Sequence, residues 1–102
     1  MNLGSFSPGI APLLVANEQE SVLDVGCGTG YYSALVPGLY VGIDPDADRI
    51  RYASLIRGGS RRTFLATRVQ QLAADYPAKH FDKAMVVNVL HHLNDSECID
   101  LL

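Results

Sequence analysis

The stretch VLDVGCGTGYYS, residues 22–33, combines a short apolar run, an acid and three alternating glycines. The run SVLDV, residues 21–25, predicts a buried strand, because short apolar segments bounded by turn residues are typical of strands in a covered sheet. Gly26, Gly28 and Gly30 follow this run, and their lack of side chains lets another molecule lie against the main chain. A tight strand-to-helix turn explains one or two of these glycines. The third favours a ligand-binding loop whose backbone N–H groups face the ligand.

Apolar runs and helical patterns alternate along the rest of the chain. Further strands are predicted at residues 39–43, 63–66 and 81–90, and helices at residues 29–36, 46–57 and 69–76. In the second helix, Ile50, Ala53 and Ile56 recur at a spacing that predicts one buried face. The order predicts an α/β fold, namely a partial, Rossmann-like, doubly wound parallel sheet with flanking helices, of about four strands in the order 3-2-1-4.

The chain divides into two predicted parts. Residues 1–19 are expected to form an N-terminal helical segment, with a short helix at residues 8–17. Residues 20–102 carry the alternating pattern and end inside a helix for which Asn94 or Asp95 is the predicted N-cap. We therefore expect one α/β domain that is incomplete at its C-terminus.

The composition narrows the choice of partners. Of the 102 residues, 48% are hydrophobic and 19% are charged, which is typical of a globular domain. A formal net charge of -3 argues against a nucleic-acid partner, and no apolar run is long enough to cross a bilayer. Cys27 and Cys98 lie far apart and fit neither a zinc site nor a disulfide framework, so we expect no metal and a reducing, cytoplasmic location.

An acid at the tip of the second predicted strand narrows the choice of ligand. Asp44 lies beside the crevice expected at the carboxyl ends of the strands, where a carboxylate can accept hydrogen bonds from both hydroxyls of a ribose. The alternative role of helix N-cap suits Asp46 better. A nicotinamide-dinucleotide site remains an alternative, but it is disfavoured because Tyr31 occupies the position of the third glycine in the GxGxxG pattern.

Three segments together resemble the successive motifs of class I S-adenosylmethionine-dependent methyltransferases. They are VLDVGCGTGYYS, YVGIDPDADRIRYA and HFDKAMVVNVLHHLND, and the similarity extends over residues 20–102. The resemblance implies that the glycines cradle the methionine part of S-adenosylmethionine, that Asp44 binds the ribose and that Pro45 borders the adenine. It also implies that the backbone carbonyl of Asn88 faces the ammonium group. The predicted cofactor-binding residues are Asp24, Gly26, Cys27, Gly28, Gly30, Asp44, Pro45, Arg68, Val69 and Asn88.

The sequence departs from this family in two places. Arg68 stands where many members have an acid that accepts a bond from the adenine amino group, although the N–H of Val69 can still reach a ring nitrogen. The chain also ends at Leu102, before the strands that complete the family's sheet. We therefore expect the fourth strand to be an apolar edge that a partner covers, unless the chain is a fragment of a longer protein. For the chain as given we expect aggregation or a homodimer through this strand, and we expect the chain to be too short to be active alone.

The resemblance implies transfer of a methyl group from a sulfonium to an acceptor, which we expect to be a small molecule. His91 and His92 follow the fourth predicted strand and are candidates for a general base, the alternative being one packed and one solvated histidine. Cys27 lies at a predicted helix N-terminus, which lowers a thiol pKa, but packing within the loop is its commoner role. A second function class stays open, that of a non-catalytic module that binds S-adenosylmethionine or S-adenosylhomocysteine.

Overall fold

A computed structural model describes residues 16–86 and 89–92 of the chain. The five strands are β1 (Val22–Val25), β2 (Tyr40–Ile43), β3 (Arg62–Leu65), β4 (Lys83–Val86) and β5 (Val89–His92). The helices are α1 (Ala47–Arg57) and α2 (Val69–Asp75), and a 3-10 helix covers Tyr31–Leu35. The predicted short helix lies mostly, and the predicted cap at Asn94 or Asp95 entirely, outside the described residues.

The strands form one sheet in the order β3-β2-β1-β4-β5. β1 pairs in parallel with β2 and β4, and β2 pairs in parallel with β3. The predicted order 3-2-1-4 is therefore confirmed. In this register Val25 lies between Ile43 and Val86, so the carboxyl ends of β1, β2 and β4 meet at one edge, where the glycines follow.

The fourth strand does not form the edge of the sheet, which corrects the sequence prediction. The predicted strand at residues 81–90 is two strands, and β5 returns antiparallel along β4 with Val89 opposite Val86. The apolar residues of β4 read as one long strand, but a second partner satisfies backbone groups that an edge would leave open. Among the described strands, β3 and β5 lie at the two ends of the sheet. The homodimer stays a prediction that sedimentation can test.

The segment after the glycines is a 3-10 helix of five residues instead of the α-helix predicted at residues 29–36. Pro37 and Gly38 follow and prevent it from continuing. The Arg62 guanidinium donates to the carbonyls of Val36 and Gly38, which fixes the chain where it turns into β2. The sequence pattern correctly predicted a helical segment, but the connection between β1 and β2 is too short for a regular α-helix.

α1 begins as predicted, because the Asp46 side chain accepts from the N–H groups of Asp48 and Arg49 at 3.0 and 3.2 Å. Ile50 and Ala53 are buried, but Ile56 is 62% exposed, so its predicted burial is wrong. Each step of three residues falls short of a full turn, which carries Ile56 about 120° around the helix from Ile50.

Two apolar clusters cover the two faces of the sheet. Alternate residues of a strand point to opposite faces, so Val22 and Leu23 enter different clusters. The cluster under α1 and the 3-10 helix contains Ala16, Val22, Val36, Tyr40, Ile50, Ala53, Phe64 and Met85. The cluster under α2 contains Leu23, Val41, Ile43, Val69, Leu72, Phe81 and Ala84. The loop after β1 lies where both clusters end.

Candidate functional site

The glycine loop, residues 26–30, is tied to the end of β2. The N–H groups of Gly26 and Cys27 both donate to the carbonyl of Ile43, at 2.8 and 2.9 Å. Gly26, Gly28 and Gly30 have φ angles of 76°, 58° and 81°, in the left-handed region that favours glycine. Three glycines in five residues are therefore required by the backbone path itself.

Asp44 braces the loop from the neighbouring strand. Its Oδ2 accepts from the N–H of Gly28 at 3.0 Å, and its Oδ1 accepts from the N–H of Asp46 at 2.9 Å. The side chain lies at the loop, and the residue is 9% exposed. A carboxylate has about four lone-pair sites, so each oxygen can accept one further hydrogen bond.

The two sides of the glycine loop have different surroundings. Among the described residues, a Cβ at Gly26 would have no atom within 4 Å, and one at Gly28 would meet only the Arg49 guanidinium at 3.9 Å. A Cβ at Gly30 would lie 2.5 Å from Cε1 of Phe64. Gly26 and Gly28 thus border open space, whereas Gly30 is packed against the core.

A cleft of about 250 Å³ opens beside Gly26. It lies at the carboxyl ends of β1 and β2 and the start of α2. Its lining residues are Val25, Gly26, Ile43, Pro45, Thr67, Arg68, Val69 and Gln70. The structure therefore brings four predicted residues, Gly26, Pro45, Arg68 and Val69, to one cleft.

Four lining residues were missed from the sequence. Val25 and Ile43 are the last residues of β1 and β2, and that position was a usable signal because ligands bind beyond strand ends. Thr67 and Gln70 flank the pair Arg68 and Val69. Thr67 follows a predicted strand and had the same signal, whereas nothing in the sequence distinguished Gln70 from other polar residues. Gln70 carries a side-chain carbonyl, which is an acceptor that Arg68 cannot supply.

Arg68 and Val69 form the N-terminus of α2. Arg68 is exposed and occupies the N-cap position without a side-chain capping bond. Val69 is buried, and its N–H is at the first helical position, where no intrahelical acceptor exists. Its backbone can therefore donate into the cleft that it lines.

Asp24 is buried beneath the glycine loop. It is 3% exposed, and its Oδ2 accepts from the Tyr40 hydroxyl at 2.5 Å. Burial raises the pKa of Asp24, the hydrogen bond from Tyr40 lowers it and the nearby Asp44 carboxylate raises it, and together they place it at about 6.

Cys27 packs within the loop. Burial raises the pKa of its thiol to about 12, and the carboxylates of Asp24 and Asp44 act in the same direction. The expectation of a lowered thiol pKa is therefore wrong, because burial and the two nearby acids disfavour the thiolate. The packing alternative is confirmed, since Cys27 contacts the cluster under α1.

His91 and His92 are not brought to this edge of the sheet. The register of β5 places their backbone opposite Ala84 and Lys83, toward the amino end of β4 and away from the glycine loop. The prediction that they follow the fourth strand at the crevice is therefore wrong, because the chain reverses direction after β4. Asn88 lies outside the described residues.

Two kinds of site have no support in the described part of the chain. Within residues 16–86 and 89–92, no three histidine, cysteine or acidic residues come together as metal ligands. The helices in the same ranges are all too short or too polar to cross a membrane.

The fold and the loop together define a Rossmann-like domain of the methyltransferase kind. A family model described as a methyltransferase domain matches residues 23–101, so the chain belongs to this family. The resemblance to class I S-adenosylmethionine-dependent methyltransferases is thereby confirmed.

Solved structures of the plantazolicin methyltransferase BpumL are similar to this chain. The complex with SAH is 28% identical, has a TM-score of 0.52, and covers 65% of this chain and 26% of that one. The complex with a pentazolic desmethylPZN analog and SAH is 28% identical, has a TM-score of 0.53, and covers 66% of this chain and 26% of that one. The chain thus spans about a quarter of the length of these proteins. No curated protein matches the chain.

Proposed function

We propose that this chain is the cofactor-binding part of a methyltransferase that transfers a methyl group from S-adenosylmethionine to a small-molecule acceptor. The observation that carries the proposal is the open side of the glycine loop, where Gly26 and Gly28 border space, beside the Asp44 carboxylate, that no described residue fills. Membership of the methyltransferase family supports the same ligand.

The groups at the loop and the cleft fit the ribose, the adenine and the methionine part of S-adenosylmethionine. Asp44 has one acceptor site left on each oxygen, which matches the two hydroxyls of a ribose. The cleft beside it has apolar walls at Val25, Ile43 and Pro45, which suit a flat adenine ring. The glycine loop offers backbone to the methionine part.

The adenine edge is the part in which this chain differs from the family pattern. Arg68 cannot accept a hydrogen bond from the adenine amino group, but the side-chain carbonyl of Gln70 in the same cleft can. The N–H of Val69 supplies a donor for a ring nitrogen. We propose that Gln70 and Val69 together form hydrogen bonds with the edge of the adenine ring.

In the proposed reaction the residues of this chain bind and orient. When bound, S-adenosylmethionine would supply a methyl carbon activated by its sulfonium, with the carbon–sulfur electron pair returning to sulfur as an acceptor lone pair bonds to that carbon. Asp44 and the glycine loop hold the cofactor in one orientation, which converts binding into alignment of the reacting atoms. The apolar walls of the cleft limit water around it.

A small-molecule acceptor is supported by two observations. The similar protein is a plantazolicin methyltransferase, solved with analogs of a desmethyl compound. The net charge of -3 disfavours a nucleic-acid acceptor. We further propose a cytoplasmic location, which the free thiol of Cys27 supports.

A second candidate function is non-catalytic binding of S-adenosylmethionine or SAH. The open glycine loop and the Asp44 carboxylate support it equally, because they are proposed to hold the cofactor and not the acceptor. A nicotinamide-dinucleotide domain is a third possibility, against which Tyr31 stands at the position of the third glycine.

Calorimetric titration with S-adenosylmethionine, SAH and NAD tests the proposal. We expect micromolar binding of the first two, no binding of NAD, and at least tenfold weaker binding to Asp44→Ala. Asp48→Ala, which removes an exposed acid from α1, is the matched control and keeps the wild-type affinity. Binding of NAD alone, or no binding by a folded chain, would contradict the proposal.

A further inference from the structure

A buried tyrosine lies beneath the candidate site. Tyr40, at the start of β2, is fully buried, and its hydroxyl donates to Asp24 Oδ2 at 2.5 Å. The ring packs against Phe64, with 5.5 Å between ring centroids. The Tyr40 side chain is therefore held in place by the core, and its hydroxyl is aimed at one carboxylate.

Gly42 keeps the path between the two side chains open. Asp24 lies opposite Gly42 in the sheet, two residues along β2 from Tyr40. A Cβ at Gly42 would lie 2.9 Å from the Tyr40 hydroxyl oxygen and 2.8 Å from Cys27 Sγ. A side chain at this position would push apart the groups that meet beneath the loop.

One oxygen of Asp24 remains available. Tyr40 donates to Oδ2, and within the described residues no group donates to Oδ1. No fully buried side-chain oxygen in that part of the chain lacks a partner, so Oδ1 retains access to solvent or ligand. An anionic acceptor that is nearly buried and half-satisfied suits a cationic group of a ligand.

We propose that Tyr40 is a positioning residue of the cofactor site, whose hydroxyl orients the Asp24 carboxylate and keeps it ionised so that Oδ1 can receive the ammonium group of S-adenosylmethionine. This inference rests on the proposed function. It extends that function to a residue that lines neither the cleft nor the open side of the loop.

Of the interactions that act on the Asp24 carboxyl, the hydrogen bond from Tyr40 is the one that favours its ionised form. Burial and the Asp44 carboxylate both raise the Asp24 pKa, and the Tyr40 hydrogen bond lowers it. Cys27, from the loop, is a neutral thiol because burial raises its pKa to about 12. Of the nearby cations, Arg62 on β3 acts on Tyr40, and Arg49 on α1 lies over Gly28. Burial also raises the pKa of Tyr40 well above its usual range, so its hydroxyl remains a donor at neutral pH.

The test compares Tyr40→Phe with wild type over pH 5 to 7.5. Tyr40→Phe keeps the ring and removes the donor, so the Asp24 pKa rises. The pH at which S-adenosylmethionine binding weakens on acidification should then move upward by about one unit, and affinity near pH 6 should fall about fivefold. Tyr52→Phe removes a hydroxyl from an exposed ring of α1 and serves as the control, with an unchanged profile.

Two further measurements separate positioning from general loss of structure. Asp24→Asn should flatten the acidic limb of the binding profile, and adding Tyr40→Phe to it should weaken binding no further, because Tyr40 acts through Asp24. The carboxyl carbon of Asp24, followed by NMR in the ligand-free chain, should titrate at higher pH in Tyr40→Phe.

The outcomes distinguish this inference from the proposed function. A wild-type chain that binds neither S-adenosylmethionine nor SAH overturns both. Binding with the same pH profile and the same Asp24 titration in wild type and Tyr40→Phe overturns only the role of Tyr40. Additive losses in the double variant would likewise show that Tyr40 does not act through Asp24.

Discussion

The two sides of the glycine loop need glycine for different reasons. All three glycines have positive φ angles, so each is required by the backbone path. Beyond that, Gly26 borders open space, whereas a Cβ at Gly30 would lie 2.5 Å from the Phe64 ring. The motif therefore combines a binding side at Gly26 and Gly28 with a packing side at Gly30.

This difference separates stability from binding. A side chain on the packing side has to displace the core, so its cost falls on the free energy of unfolding. A side chain on the binding side finds room in the protein, and its main cost falls on whatever ligand uses that room. Substitutions of like size on the two sides should therefore be told apart by two different measurements.

The largest effect is expected for Gly30→Ala. The positive φ and the contact with Phe64 together should lower the free energy of unfolding by about 4 kcal/mol, measured by urea denaturation. Combining it with Phe64→Leu makes room for the methyl group and should lower the cost of the alanine. A Gly30→Ala chain as stable as wild type would show that Gly30 is not packed tightly against Phe64.

The next effect concerns the acid beneath the loop. The pKa of Asp24 is about 6 in the folded chain, against its ordinary value of 3.8, so protonation of this carboxyl favours the folded state. Its contribution is complete below about pH 4 and is lost as pH rises through 6, by about 3 kcal/mol. Urea denaturation at several pH values should show this fall in wild type relative to Asp24→Asn. Parallel pH profiles would contradict it.

Gly26→Ala should mainly affect binding. The methyl group enters open space, so the cost in stability is limited to the backbone strain of about 1 kcal/mol. Calorimetry should show more than a tenfold loss of SAH affinity, because the methyl fills the space proposed for the cofactor. Gly59→Ala, also in open space but away from the loop, is the control. Equal SAH affinities for Gly26→Ala and wild type would show that the cofactor does not bind against Gly26.

The smallest effect is expected at the adenine edge of the cleft. Gln70→Ala removes one proposed neutral hydrogen bond and should weaken SAH binding up to about tenfold. Gln71→Ala is the matched control, since that amide donates to Asp75 at 2.7 Å, a contact within α2. An identical loss in both variants would argue against a specific role of Gln70.

Much of the fold could be predicted from the sequence, because the buried strands of a parallel sheet are continuous apolar runs. β1, β2, β3, α1 and α2 follow from such runs and from caps such as Asp46. β5 could not be separated from β4, since residues 84–90 are apolar apart from Asn88 and carry no turn signal. The exposure of Ile56 depends on how α1 lies on the sheet, which a spacing of three residues does not specify.

The site was predictable where function depends on backbone position and not where it depends on packing. Asp44 and Gly26 follow strand ends, which meet at one edge in any parallel sheet. The reason for Gly30 lies in Phe64, which is distant in sequence, and the raised pKa of Cys27 depends on burial. Tyr40 carried no signal, because a tyrosine in a strand is ordinarily a core residue.

The most direct test of the two-sided loop is an amide NMR titration of the 102-residue chain with SAH. We predict that the amide signals of Gly26 and Gly28 shift most, together with those near Asp44 and Val69. The signal of Gly30 should shift less, since its neighbour is Phe64. Shifts confined to other surfaces, or no shifts in a folded chain, would contradict the account of the glycine loop as a cofactor site.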